Sequence, residues 1–119
     1  MIIQIFGVKN STATRAAERF FKERRVAFQF VDLKKKPMAP GEIGRFVERF
    51  GLDQLLDSES AAYLDSGLKY LKMPAPELLA RIEAEPKLLK LPLVRSASRL
   101  SVGDDEAGWK AMLEFTKPR

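Results

Sequence analysis

The chain has 119 residues, of which 45% are hydrophobic and 31% charged, with a formal net charge of +5. This length and balance predict one folded domain with its own core rather than two domains or a disordered chain. The sequence has no cysteine and no histidine. These absences exclude disulfides, thiolate metal sites and cysteine nucleophiles, and remove the commonest metal ligand and general base. We therefore expect no metal and no cofactor.

The amino-terminal residues predict a strand. Ile2–Phe6 is rich in β-branched and aromatic residues and stops at Gly7, without the basic start and long apolar stretch of a signal peptide. No apolar run in the sequence is long enough to cross a bilayer. We expect a cytoplasmic protein with no membrane partner.

A helix and a second strand follow. Asn10 or Ser11 offers an N-cap for a helix that continues to about Arg25, with its apolar side chains gathered on one side. Val26–Leu33 alternates between the two faces of a strand. The pattern predicts a βαβ unit whose two strands are parallel and joined by a right-handed crossover.

The middle of the chain predicts an all-helical insertion over residues 38–88. After a linker rich in proline and glycine, apolar residues recur at helical spacing from Ile43 to Phe50, and Gly51 ends that helix. Shorter helices are expected around residues 53–57 and 60–64. A further helix over Glu77–Glu85 is stopped by Pro86.

Strand patterns return at Leu91–Arg95 and Arg99–Val102. Only residues 96–98 separate them, which predicts an antiparallel hairpin. Asp104 or Asp105 then caps a last helix that carries Trp109. The order β-α-β, helices, β-β-α predicts an α/β fold with a mixed sheet flanked by helices.

The turn between the first strand and the first helix resembles a known active site. Residues 6–15 read FGVKNSTATR and are similar to the active-site turn of ArsC-type arsenate reductases and their Spx-like relatives. The order agrees along the chain, with GLDQLL at 51–56, PKLLKLPLV at 86–94 and VG at 102–103. The resemblance implies a single thioredoxin-like domain over residues 1–119, with Pro92 as the cis-proline that faces this turn.

Ser11 occupies the position where the resemblance implies the catalytic cysteine. The chemistry of that family needs a thiolate at the helix start, where free N–H groups and the helix dipole lower the pKa of the thiol. A serine hydroxyl is far less acidic, and without histidine the chain has no evident base to activate it. An N-cap role, worth about 1 kcal/mol, explains Ser11 without catalysis. We assign no catalytic residue.

The anion-binding arginines implied by the resemblance are also missing. Asp57, Leu91 and Val102 occupy the three matching places. An anion site needs positive charge or fixed donors, and a carboxylate at position 57 repels an anion. Arg95 and Arg99 lie nearby, and we interpret them as solvated charges at a strand edge.

The leading hypothesis is a non-catalytic module that binds a protein partner or a small anionic ligand. Its candidate site is the helix start, where backbone donors are free, and consists of Lys9, Asn10, Ser11, Thr12 and Pro92. One alternative is a thiol-dependent reductase, either an arsenate reductase or a glutathione-linked oxidoreductase, in which serine has been substituted for the natural cysteine at position 11. Another is an Spx-like transcriptional regulator, for which the resemblance implies that the helical insertion contacts RNA polymerase.

The basic charge does not by itself predict nucleic-acid binding. Lysines and arginines are scattered along the sequence, and the only tight run is Lys34–Lys36, where the second strand ends. No recognition motif accompanies the charge. We do not expect specific nucleic-acid binding.

Overall fold

The computed structural model describes residues 3–67, 74–96 and 99–116. Four strands and six helices are present in these ranges: β1 (Ile3–Gly7), α1 (Thr12–Glu23), β2 (Phe28–Asp32), α2 (Pro40–Phe50), α3 (Leu52–Leu55), α4 (Ala61–Ser66), α5 (Ala75–Ala84), β3 (Leu93–Ser96), β4 (Arg99–Val102) and α6 (Glu106–Thr116). A short 3-10 helix, Pro86–Leu88, follows α5. No helix in these ranges combines the length and apolar character needed to span a membrane.

The strands form one mixed sheet in the order β2-β1-β3-β4. β1 and β2 are parallel, with Ile3 opposite Phe28, and β3 runs antiparallel to both β1 and β4. The predicted parallel pairing of β1 with β2 and the predicted antiparallel pairing of β3 with β4 are therefore confirmed. Residues 97 and 98 of the hairpin connection lie outside the described residues. The sheet and its helices form the predicted thioredoxin-like α/β fold.

One face of the sheet packs against α1 and α6. Because side chains alternate along a strand, Ile3 and Ile5 of β1 point to the same face and are fully buried there. Phe20 of α1 and Trp109 of α6 meet over this face, with ring centroids 5.5 Å apart. The other buried members of this layer are Ala17, Phe21, Val94 and Met112.

The helical insertion covers part of the opposite face. Phe6 of β1 packs edge-to-face against Phe46 of α2, with ring centroids 6.4 Å apart. The other buried members of this layer are Val8, Leu33, Ile43, Leu55, Leu78, Ile82, Leu88, Leu89, Leu91 and Leu93. The insertion is helical over most of its described part, apart from one isolated antiparallel bridge that joins Leu56 to Leu89. Residues 68–73 of the insertion lie outside the described residues.

Several element boundaries differ by a few residues from the sequence prediction, and two of these differences have clear physical reasons. α1 ends at Glu23 rather than Arg25, because Arg25 adopts a left-handed φ of 57°. The N–H of Val26 donates to the carbonyl of Phe21 at 3.0 Å, which closes the helix end. β3 begins at Leu93 rather than Leu91, since Pro92 has no N–H to donate to a neighbouring strand.

Arg95 is not the solvated strand-edge charge that the sequence suggested. It lies on the inner strand β3, and its side chain is only 24% exposed. Its Nε donates to Oε1 of Glu42 in α2 at 3.0 Å, and its Nη2 donates to Oε1 of Gln4 in β1. The prediction was wrong because the insertion brings Glu42 onto this face of the sheet. Arg99 of the edge strand β4 is exposed.

Candidate functional site

The candidate site begins with the turn that joins β1 to α1. The N–H of Ser11 donates to the carbonyl of Val8 at 3.1 Å, and this bond closes the turn. Oγ of Ser11 accepts the N–H of Thr14 at 3.2 Å, while the carbonyl of Ser11 accepts the N–H of Arg15 at 3.1 Å. Ser11 is thus the N-cap of α1, as its position in the sequence predicts.

The cap occupies only one of the free donors at the start of α1. The first N–H groups of a helix have no partner within the helix. Among the described residues nothing accepts the N–H of Thr12 or Ala13. Lys9, Asn10 and Thr12 are exposed beside these donors. The turn therefore presents two backbone donors and one lysine to a ligand.

Pro92 lies at the same end of the sheet as this turn. The pairing of Phe6 with Leu93 places Pro92 across from Gly7, one residue before the turn begins. The peptide bond between Leu91 and Pro92 is cis, as the resemblance implies. Pro92 is fully buried, and its carbonyl accepts the N–H of Gly103 at 2.9 Å. Of the five predicted binding residues, Pro92 alone offers no side-chain surface to solvent.

A contact between Gly7 and Thr14 fixes the start of α1 against the end of β1. A Cβ on Gly7 would lie 2.4 Å from Oγ1 and 2.6 Å from Cγ2 of Thr14, which is closer than any real Cβ contact. Thr14 is fully buried, and its Oγ1 has no hydrogen-bond partner among the described residues. Sequence reasoning recognised Gly7 only as the end of a strand. The signal in the sequence that could have indicated this contact is the position of Gly7 directly before the turn that starts the helix.

Asp57, Leu91 and Val102, which occupy the places where the resemblance implies arginines, have structural roles. Asp57 shapes a turn: its Oδ1 accepts the N–H of Glu59 at 3.2 Å, and its carbonyl accepts Oγ of Ser60 at 2.8 Å. Leu91 is buried in the layer beneath the insertion, and Val102 packs against that layer. None of the three offers positive charge to an anion. Within the described ranges no three carboxylate, histidine or cysteine side chains are grouped to hold a metal.

A second concave feature, which the sequence analysis missed, lies between α2 and α5. It is a largely apolar groove of about 450 Å³. Its lining residues are Leu33, Pro37, Met38, Pro40, Ile43, Gly44, Val47, Glu48, Pro76, Leu79, Ala80, Ile82, Glu83, Pro86 and Leu89. No sequence signal could reveal it, because its walls come from segments more than twenty residues apart that meet only in the fold.

Comparison with known proteins settles the family. The model of the ArsC family matches residues 6–112, which is most of the chain. The chain belongs to the ArsC family. Global transcriptional regulator Spx 2 of Oceanobacillus iheyensis is 27% identical over 108 residues, covering 89% of this chain and 79% of that protein. Global transcriptional regulator Spx of Bacillus subtilis is 22% identical over 107 residues, covering 88% and 82%.

Solved structures show that this ArsC-family chain shares a widespread fold. A YffB protein superimposes with a TM-score of 0.82 at 19% identity, over 93% of this chain and 98% of that one. An arsenate reductase from Vibrio cholerae superimposes with a TM-score of 0.75 at 17% identity, over 96% and 97%. At such low identity the likeness concerns the fold alone. Function in this family member has to be argued from its own residues.

Proposed function

We propose that this ArsC-family protein acts by binding a partner or a small anionic ligand, without thiol chemistry. The observation that carries the proposal is the hydrogen bond from the N–H of Thr14 to Oγ of Ser11. Position 11 is where the family resemblance implies a thiolate. Here its side chain is a hydroxyl held as a helix cap, and the chain has no histidine to deprotonate it.

The surroundings of Ser11 support the same proposal. Asp57, Leu91 and Val102 replace the arginines that the resemblance implies around an oxyanion. Asp57 and Leu91 are engaged in a turn and in the core, respectively. The missing arginines argue against the implied reaction independently of the missing thiol, because an anion site needs positive charge or fixed donors.

The ligand-binding part of the proposal rests on Lys9, Asn10, Ser11, Thr12 and Pro92. The N–H groups of Thr12 and Ala13 supply donors, and Lys9 supplies a positive charge. Each such interaction at an exposed helix start contributes about 0.3–1 kcal/mol. We therefore expect weak binding of phosphate, sulfate or a carboxylate group. We also propose that the protein is located in the cytoplasm.

Amide NMR tests this site. Phosphate titrated into the labelled protein should shift the amides of residues 10–14 and those beside Pro92 at millimolar concentration. Lys9→Ala should weaken the effect, whereas Lys22→Ala, which removes an equal charge from an exposed position in the last turn of α1, should leave it unchanged. Shifts that are absent from residues 10–14, or that are equally weakened by both variants, contradict an anion site at the turn.

A second candidate function is transcriptional regulation. It is favoured by the similarity to proteins named global transcriptional regulator Spx over about nine-tenths of the chain. The family resemblance implies that such a regulator contacts RNA polymerase through its helical insertion. Co-elution of the purified protein with bacterial RNA polymerase on a sizing column would support this candidate. Separate elution at micromolar concentrations of both would contradict it.

A further inference from the structure

The groove between α2 and α5 has the dimensions of a small-molecule site. Its volume of about 450 Å³ falls within the range of roughly 300–1,000 Å³ that is typical of ligand pockets. Ile43 and Val47 line it from α2, and Leu79 and Ile82 line it from α5. All four side chains are aliphatic, and no aromatic residue is among the described lining residues.

Prolines make the walls of the groove rigid. Pro40 and Pro76 lie in the first turns of α2 and α5, and Pro86 begins the 3-10 helix. Pro37 lines the groove from the segment that precedes α2. Because each proline ring fixes φ, the backbone around the groove has few alternative conformations. The prolines therefore limit how far the backbone can rearrange at four positions of the groove's lining.

Gly44 leaves space in the wall that the fold does not require. Glycine in a helix interior is destabilising relative to alanine. A Cβ at Gly44 would meet no atom within 4 Å, so no neighbour in the structure demands a glycine. Ala80, one of the residues that line the groove from α5, is also small. Both helices thus leave room for an occupant close to their backbones.

Among the described lining residues, the only charged side chains are negative. Glu48 of α2 and Glu83 of α5 are exposed and belong to no ion pair within the described residues. The basic residues on the same helices, Arg45, Arg49 and Arg81, do not line the groove, and neither does the run Lys34–Lys36. On a chain of net charge +5, this apolar surface is therefore bordered by two carboxylates that have no counter-ion in the part of the chain that the structure describes.

The size of the groove favours a small molecule over a protein segment. A stable protein interface involves about 20–30 residues on each side, whereas fifteen of the described residues line the groove. We propose that it binds a small amphiphilic cation, whose aliphatic body fills the space at Gly44 and whose ammonium group lies between Glu48 and Glu83. This proposal is independent of the site at Ser11.

Two ligands with the same chain and opposite charge test the proposal. Octylammonium and octanoate are each titrated below their micellar concentrations into the labelled protein and followed by amide NMR. Octylammonium should shift the amides of Gly44, Val47, Leu79 and Ala80. It should bind about fivefold more tightly than octanoate, as expected from two exposed ion pairs.

Matched variants separate charge from apolar contact. The double substitution Glu48→Gln and Glu83→Gln should abolish the preference for octylammonium and leave the shifts in the groove. Glu18→Gln with Glu23→Gln makes an equal charge change on α1 and should preserve the preference. Gly44→Leu should fill the groove and weaken both ligands, with folding checked by circular dichroism.

Three results would overturn the proposal. Equal or tighter binding of octanoate would show that the two carboxylates do not select a cation. A preference for octylammonium that survives the Glu48 and Glu83 substitutions would place its origin elsewhere. If neither ligand shifts the groove amides, the groove has a different occupant, such as a protein segment.

Discussion

Two small residues decide how the first helix meets the first strand. Ser11 holds the helix start with its hydroxyl, and Gly7 allows Thr14 to lie directly against the end of β1. The cap could be predicted, because a serine before a helical pattern is a local signal. The contact of Gly7 with Thr14 could not, because it depends on the distance between helix and sheet. Arg95 was misjudged for the same reason, since its partner Glu42 is 53 residues away.

Gly7→Ala should destabilise the protein by about 1–3 kcal/mol, the usual range for overpacking a core. The new Cβ would collide with the buried side chain of Thr14, and adding Thr14→Ala should recover part of the loss. Gly41→Ala is the control, because a Cβ there meets nothing within 4 Å, and it should leave stability unchanged or raise it by up to about 1 kcal/mol, since alanine favours a helix over glycine. Urea unfolding measures all four proteins. Equal stability of Gly7→Ala and the wild type would contradict the close contact.

Among the elements, α2 has a double role. It covers one face of the sheet through Phe46 and supplies one wall of the groove through Val47. The helical pattern and the stop at Gly51 were readable from the sequence, because both are local. The groove was not, since it forms only where residues 40–50 approach residues 75–84. The way in which two helices from separate segments pack together leaves no periodic pattern in the sequence of either helix.

The ion pair of Glu42 with Arg95 should couple α2 to the sheet. The two side chains are 16% and 24% exposed, and their atoms are 3.0 Å apart. A double-mutant cycle with Glu42→Ala and Arg95→Ala should give a coupling free energy of about 1–3 kcal/mol, as for a charged hydrogen bond. The control is Glu106 with Lys110, which are 60% and 61% exposed. Their cycle should give about 0.5 kcal/mol or less, and equal coupling in the two cycles would contradict a tether specific to α2.

At the scale of the whole molecule, the chain has the ArsC fold, although other residues stand where the resemblance implies a catalytic cysteine and three anion-binding arginines. The helical insertion and the cis bond before Pro92 agree with the resemblance, and the family model matches residues 6–112. The order of elements and the turn at residues 6–15 were enough to predict this architecture from the sequence. Binding partners are harder to predict, because they depend on exposed side chains that the fold does not constrain.

The central claim is most directly tested by turnover. Arsenate reduction and disulfide exchange with glutathione and thioredoxin are measured for the wild type, Ser11→Ala and Ser11→Cys at several protein concentrations. The wild type and Ser11→Ala should both stay at background. Ser11→Cys should gain a thiol that reacts with a disulfide reagent, yet no arsenate reduction, because Asp57, Leu91 and Val102 remain. Wild-type turnover that rises with protein concentration, whether or not Ser11→Ala removes it, would contradict the account.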